Sequence, residues 1–184
     1  LSMQCQSGGW AAFDIDNEKE ILNQVPFADH GAMLDPPSAD VSGRVLWLLG
    51  QLKFKKNHPK VKRVINFLKR KQESNGSWWG RWGVNYIYGS WLALTGLASI
   101  GEDMSQPYVC RSIKWFEDHQ NKDGGWGETC ESYKIPSLAG KGNSTASQTA
   151  WAVMGLIAAG NEESLIVKRG VEFLLNRQEP HGSW

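Results

Sequence analysis

The stretch Arg63-Val64-Ile65-Asn66-Phe67-Leu68-Lys69-Arg70-Lys71-Gln72-Glu73-Ser74-Asn75-Gly76-Ser77-Trp78 decides how this 184-residue chain is read. With Val61 just ahead of it, its first half places Val61, Val64, Ile65 and Leu68 at i, i+3, i+4 and i+7, the spacing of one helical face, and Lys and Arg fill the other faces. Its second half is Gln-x3-Gly-x-Trp, and that pattern recurs: Gln4 to Trp10, Gln72 to Trp78, Gln120 to Trp126 and Gln178 to Trp184. Two further copies have the same lead. Arg111-Ser112-Ile113-Lys114-Trp115-Phe116 precedes Gln120, and Arg169-Gly170-Val171-Glu172-Phe173-Leu174 precedes Gln178. Val109, Ile113 and Phe116, and then Val167, Val171 and Leu174, repeat the apolar stripe. Pro59 and Pro107 stand where a first helical turn accepts proline. A shared pattern of this length at intervals of 48 to 68 residues marks a repeat architecture.

Ahead of each amphipathic helix lies one of another character. Asp40–Leu52, Tyr86–Ile100 and Gln148–Ala159 are apolar on nearly all sides, as expected of helices lining an interior. A buried helix paired with an exposed one, alternating along the chain, predicts an all-α fold, an (α/α) barrel or toroid with an inner and an outer ring. About three hairpins fit into residues 1–184, fewer than a closed barrel needs, so the chain reads as one part of such a domain and as cut from a longer one. The Gln-Trp corner has a plain structural role. Gln72 and its equivalents end an outer helix, where an amide can bond free backbone carbonyls. The glycines permit a tight turn. The Trp packs over the next hairpin and needs a partner for its indole N–H.

Composition narrows the function. Lys and Arg number 20 against 19 Asp and Glu, a net charge of +1 that argues against a nucleic-acid partner. Ten of the 20 aromatic residues are Trp, and Gly is also numerous at 20. Cys5, Cys110 and Cys130 make an odd, sparse count without CxxC spacing, and read as reduced structural thiols. The runs Trp82–Gly101 and Gly142–Asn161 carry no charge over 20 residues each, but Asn85, Ser90, Thr95, Gln148 and Thr149 interrupt them, which favours buried helices over membrane spans. The start of the chain has no signal-peptide pattern. Asp14, Asp16 and Glu18 echo a calcium loop but lack its glycine and terminal Glu. His30, His58, His119 and His181 form no ligand pair, so neither metal nor cofactor is expected.

The repeated Gln-x3-Gly-x-Trp elements resemble the QW motifs of the triterpene cyclases. The segments Trp10–Asn17, Asp35–Val41, Gly80–Gly89 and Ala139–Gly142 are similar to the squalene–hopene cyclase branch, and the resemblance extends over essentially all 184 residues. It implies an enzyme that folds squalene in an apolar cavity, protonates a terminal double bond, and guides the polyene cascade to hopene or hopanol. It also implies that the protonating Asp-x-Asp-Asp-Thr-Ala motif lies upstream of Leu1 and an aromatic segment beyond Trp184, so this piece alone is expected to be inactive. A cascade of carbocations needs walls that attract cations without trapping them. Aromatic faces do this, at about 0.5–2 kcal/mol each.

Residue by residue, the resemblance implies that Trp82 and Phe13 stabilise cations, Phe13 standing where many relatives have Tyr. Asp40, Arg44 and Tyr88 would support the acid motif and its ordered water. Arg44 stands where some members carry His, and as a fixed cation it cannot relay a proton. Phe27 and Ala28 would line the substrate channel, Ala28 replacing a frequent Cys. The structural alternatives are an Asp40 in the first turn of a helix capped by Ser38, an Asp40–Arg44 helix pair, and aromatics that only pack. Whole family members are peripheral membrane homodimers on the cytoplasmic side. Their membrane helix lies in another part of the chain, so this piece is expected to be soluble. Three other readings remain open: an oxidosqualene (lanosterol-type) cyclase, a protein prenyltransferase β-like barrel, and a non-catalytic α/α binding module. The oxidosqualene branch typically has Cys at Asn85, and a prenyltransferase needs an Asp-x-Cys zinc ligand set that does not occur.

Overall fold

Six α-helices in three hairpins form a two-layered wall in the computed structural model, which describes residues 1–19, 21, 24 and 33–184. They are α1 (Ala39–Gln51), α2 (Pro59–Lys71), α3 (Tyr86–Ser99), α4 (Pro107–Asp118), α5 (Ala146–Ala158) and α6 (Leu165–Arg177). Single 3-10 turns at Cys130–Tyr133 and Pro136–Leu138 interrupt the connection from α4 to α5. Among the described residues only isolated bridges, such as Gln72 with Trp78, take the place of strands. The inner helices α1, α3 and α5 fall within two residues of the spans expected for them, and α2 and α4 cover the expected apolar stripes and start at Pro59 and Pro107.

The inner helices α1, α3 and α5 stand side by side, with α3 in the middle; α2, α4 and α6 cover one side of them. Glycines set the spacing. A Cβ at Gly43 would lie 2.4 Å from the Leu92 carbonyl oxygen, and one at Gly96 2.5 Å from that of Gly43. The two backbones therefore touch, and Gly50 against Ser99 extends the seam in the same direction along both helices, so α1 and α3 run parallel. Val61, Val64, Ile65, Phe67 and Leu68 of α2 are buried against this inner layer.

The Gln-Trp corners fasten the layers by a network wider than the sequence suggests. The Gln72 amide donates both to Gly76 O of its own turn (2.8 Å) and to Tyr108 O in the first turn of α4 (2.7 Å). Gln4 does the same to Gly8 O and Lys60 O, and Gln120 to Gly124 O and Ile166 O. The indole N–H bonds backward: Trp78 Nε1 to Leu68 O and Trp126 Nε1 to Phe116 O, both at 2.8 Å. Each accepting carbonyl lies in a last helical turn, where regular helical donors run out; Phe116 O has besides only the 3.3 Å bond from His119 N–H. The Trp main-chain amide bonds inward to a hydroxyl on the next inner helix, at 2.9 Å in each case: Trp10 to Ser42, Trp78 to Ser90 and Trp126 to Thr149. The next outer helix presents an Arg to the corner. Arg111 donates to Gln72 Oε1 (2.7 Å), Arg169 to Gln120 Oε1 (3.2 Å), and Arg63 to the carbonyls of Cys5 and Gln6. One corner thus ties together three helices.

Two expectations need correction. Of the stripe expected on the buried face of α6, Val167 is buried, yet Val171 is exposed and Leu174 half-buried; Gly170 and Phe173 are buried in their place. The reason is that α6 packs principally on α5, and the last corner has no following hairpin within the described residues. Trp184 keeps its bond to Leu174 O (2.7 Å) but is 61% exposed, while Trp78 and Trp126 are fully buried. Ser38 occupies the N-cap of α1, but its hydroxyl makes no cap bond. Its backbone amide goes to Trp10 O instead.

Candidate functional site at the N-terminal ends of the inner helices

The loop from Gly80 to Asn85 lies across the N-termini of α1 and α3, and buried carboxylates hold it there. Asp40, in the first turn of α1 and 1% exposed, accepts the Trp82 amide on Oδ2 at 2.9 Å. Its other oxygen, Oδ1, is buried with no donor among the described residues. At the start of α3, Glu128 accepts the amides of Asn85 (3.2 Å) and Ile87 (3.0 Å) on Oε2. Both carboxylates sit where helix dipoles favour negative charge. Gln148 of α5 fixes the Glu128 backbone on both sides, accepting its N–H at 2.9 Å and donating to its carbonyl at 3.1 Å.

Aromatic rings complete the site. A Cβ on Gly83 would lie 2.6 Å from the Tyr88 ring, so the loop rests flat on that ring. Trp82 meets Phe13 edge-on, with centroids 5.5 Å apart and planes at 87°. Asp35 holds Phe13 in place: its buried carboxylate accepts the consecutive amides of Ala12 (3.0 Å), Phe13 and Asp14 (2.7 Å). Trp82 is 39% exposed and lines an open cavity of about 610 Å³ with Trp79, Val84 and Tyr133; Phe13 is 65% exposed. The Tyr133 hydroxyl donates to Gly83 O at 2.8 Å. Burial first, then the nearby Asp40 and Glu128 carboxylates, push its pKa up to about 12, so it remains a neutral donor.

On the face of the inner helices away from the outer layer lies a second aromatic group. Tyr88 touches Trp151 edge-on at 4.9 Å and Trp91 at 5.7 Å, and the two Trp rings stack at 5.8 Å. Arg44 donates to the Tyr88 hydroxyl at 3.0 Å and lies 5.8 Å from the centroids of both Tyr88 and Trp91.

The structure therefore brings Asp40, Trp82 and Phe13 into one contact chain and Arg44 and Tyr88 into another, joined where Gly83 meets Tyr88. The Asp40–Arg44 helix pair is not formed: Asp40 turns to the Trp82 amide and Arg44 to Tyr88. The channel residues Phe27 and Ala28 lie outside the described residues. Asp35 and Glu128 were not picked out from sequence, because a lone carboxylate in a loop has no periodic signal. A candidate signal is the pairing of each with an unusual turn, Asp35 ahead of Pro36-Pro37 and Glu128 after Gly125-Trp126-Gly127.

Solved structures with this architecture define the class first. A type II terpene cyclase from Scytonema aligns with the whole chain at a TM-score of 0.67 and 24% identity, over 48% of its own length. An ent-copalyl diphosphate synthase from Streptomyces platensis aligns with 79% of the chain at 0.62 and 22% identity, over 28% of its length. At such identities the likeness shows the fold, the α/α toroid of terpene cyclases, present here as a partial segment. Sequence then fixes the family: residues 1–184 match the squalene-hopene cyclase C-terminal domain, and the chain belongs to that family. The squalene–hopene cyclase of Alicyclobacillus acidocaldarius is 47% identical over 184 residues, covering 100% of this chain and 29% of that protein. The squalene–hopene cyclase of Zymomonas mobilis is 44% identical, covering 100% of the chain and 28% of that protein. The dammaradiene synthase of Dryopteris crassirhizoma is 45% identical, covering 100% of the chain and 30% of that protein. The chain thus spans under a third of the length of these relatives, which come from bacteria and eukaryotes alike. They do not favour the oxidosqualene, prenyltransferase or binding-module readings.

Proposed function

We propose that the whole protein is a squalene–hopene-type cyclase and that these residues form part of its reaction chamber. The observation that carries this is the placement of a buried carboxylate against the loop of an aromatic pair. Asp40 holds the Trp82 backbone, and Trp82 presents its ring beside Phe13. In this reading Trp82 and Phe13 attract the early carbocations through their ring faces. Neither ring is a nucleophile, so the cation moves on rather than being captured. The free Asp40 Oδ1 accepts a hydrogen bond from the acid motif or its water, since a buried carboxylate oxygen left unpaired is costly. Arg44 fixes the Tyr88 hydroxyl, which holds the water through which the acid is re-protonated after each turnover. Phe27 and Ala28 belong to the entrance channel. Proton loss or water capture at the final cation gives hopene or hopanol.

The substrate is a C30 polyene with negligible water solubility, and its natural store is a bilayer. The full-length protein is accordingly proposed to be a homodimer on the membrane surface, in hopanoid synthesis. Among the described residues no helix is long and apolar enough to cross a membrane.

The test is the full-length protein with squalene, followed by product identification. Hopene or hopanol is expected, and Asp40→Asn is expected to lower turnover by about 100-fold. Recovery of unreacted squalene from a folded full-length protein would overturn the reading.

A further inference from the structure

Charge is distributed very unevenly along this chain. Lys53 to Lys71 contains nine of the 20 Lys and Arg and none of the 19 Asp and Glu, while everything else carries 11 cations against all 19 carboxylates. The structure spreads these nine over one outer surface, the α1–α2 loop and the solvent face of α2. Lys53, Lys55 and Lys62 are exposed and, with Lys60, have no side-chain partner among the described residues. Arg63 and Arg70 bond neutral carbonyls, so their charge is uncompensated. One carboxylate is neutralised there, Glu102 by Lys56 at 2.6 Å; Asp103 stands close by, and Glu73 follows Lys71 beyond the end of α2.

Two grooves share Asn57 and make the surface continuous. One, of about 460 Å³, draws Lys56, Lys62 and Lys69 together with Asn66 over Ile65. The other, of about 520 Å³, runs from Leu52 to Pro59. At its end Leu52 is 60% exposed, and Phe54 is half-buried between Lys53 and Lys55.

We propose that this surface is a docking face for anionic phospholipid. Lysines at a membrane surface are attracted to phosphate headgroups, and each adds to the binding. An exposed aliphatic side chain and an aromatic ring among those lysines give the composition of an interfacial segment. A nucleic acid would use the lysines but leave Leu52 and Phe54 idle, and the rest of the chain, with its excess of carboxylates, would repel an extended polyanion. The contact is peripheral and reversible, and separate from the membrane helix expected elsewhere in the full-length protein. It rests on the charge distribution and not on the cyclase reading.

Sedimentation of this chain with vesicles tests it. Binding is expected to vesicles of phosphatidylcholine mixed with phosphatidylglycerol, not to phosphatidylcholine alone, and high salt should release it. Lys53→Glu/Lys55→Glu/Lys62→Glu should weaken binding at least about 10-fold. Lys122→Glu/Lys134→Glu/Lys141→Glu makes the same change in net charge elsewhere and should retain most of it. Leu52→Ser should weaken binding without changing its salt dependence, and it decides the matter together with the salt series if the triple variant fails to fold by circular dichroism. Equal binding to both vesicle types, equal loss in the two triple variants, or displacement from vesicles by a single-stranded oligonucleotide at equal charge would each overturn the proposal.

Discussion

Trp126 shows what one side chain contributes to this wall. Its ring fills space against Phe116 and Gly170, while its indole N–H bonds Phe116 O at 2.8 Å, a carbonyl whose backbone donor is the longer, 3.3 Å bond from His119 N–H. Trp126→Phe keeps most of the ring volume and removes the indole donor, leaving that carbonyl only the long His119 bond. A loss of about 0.5–1.5 kcal/mol is expected in urea unfolding. Gly43 acts by having no side chain. In Gly43→Ala the Cβ meets the Leu92 carbonyl oxygen at 2.4 Å, and both atoms belong to packed helices that cannot yield cheaply. About 1–3 kcal/mol is expected here, with a reduced thermal midpoint as the readout. Tyr133 ties stability to alkaline pH. Its folded-state pKa, near 12, exceeds the ordinary phenol value of about 10. The folded state therefore holds that proton more tightly than the unfolded one. The stabilisation is complete below pH 10 and is lost as pH rises toward 12. Burial pushes the Tyr108 phenol up as well. Urea unfolding measured across that window, with phenolate absorbance followed alongside, should show stability falling as pH rises, and Tyr133→Phe should weaken the pH dependence.

At the scale of elements, the corners divide what sequence reveals from what it hides. Gln72, Gly76 and Trp78 mark the turn, and the 3.6-residue period marks the helix before it, because both are local. The acceptors are not local. Gln4, Gln72 and Gln120 reach carbonyls 56, 36 and 46 residues away. The inner hydroxyls Ser42, Ser90 and Thr149 stand 32, 12 and 23 residues from the Trp amides they accept. Such separations leave no pattern in one sequence, although each hydroxyl lies near the start of its inner helix. The same limit applied to the site. Asp40 and Trp82 were each singled out, but a contact across 42 residues between them was not legible, and neither were the turns held by Asp35 and Glu128. Ser90→Ala tests the inward bond: it leaves the Trp78 amide buried without its acceptor, and a loss of about 1–3 kcal/mol is expected, whereas Ser90→Thr should recover part of it.

For the molecule as a whole, the two layers face different surroundings. The outer layer is charged, most heavily along α2. The free face of the inner layer carries Trp91, Trp151 and Tyr88, with Arg44 in contact with two of those rings. A toroid that encloses such a face provides an apolar chamber lined with π-electron density, which suits a hydrocarbon that becomes a cation. The central claim is that Trp82, held by Asp40, faces that chemistry. The most direct measurement is product analysis of the full-length protein with squalene, comparing Trp82→Phe with Trp82→Leu. The Phe variant keeps a π-face and should retain the normal products at reduced rate. The Leu variant keeps apolar bulk without it, and should slow turnover about 10-fold or more and release partly cyclised products. Unchanged rate and products in the Leu variant would contradict the account.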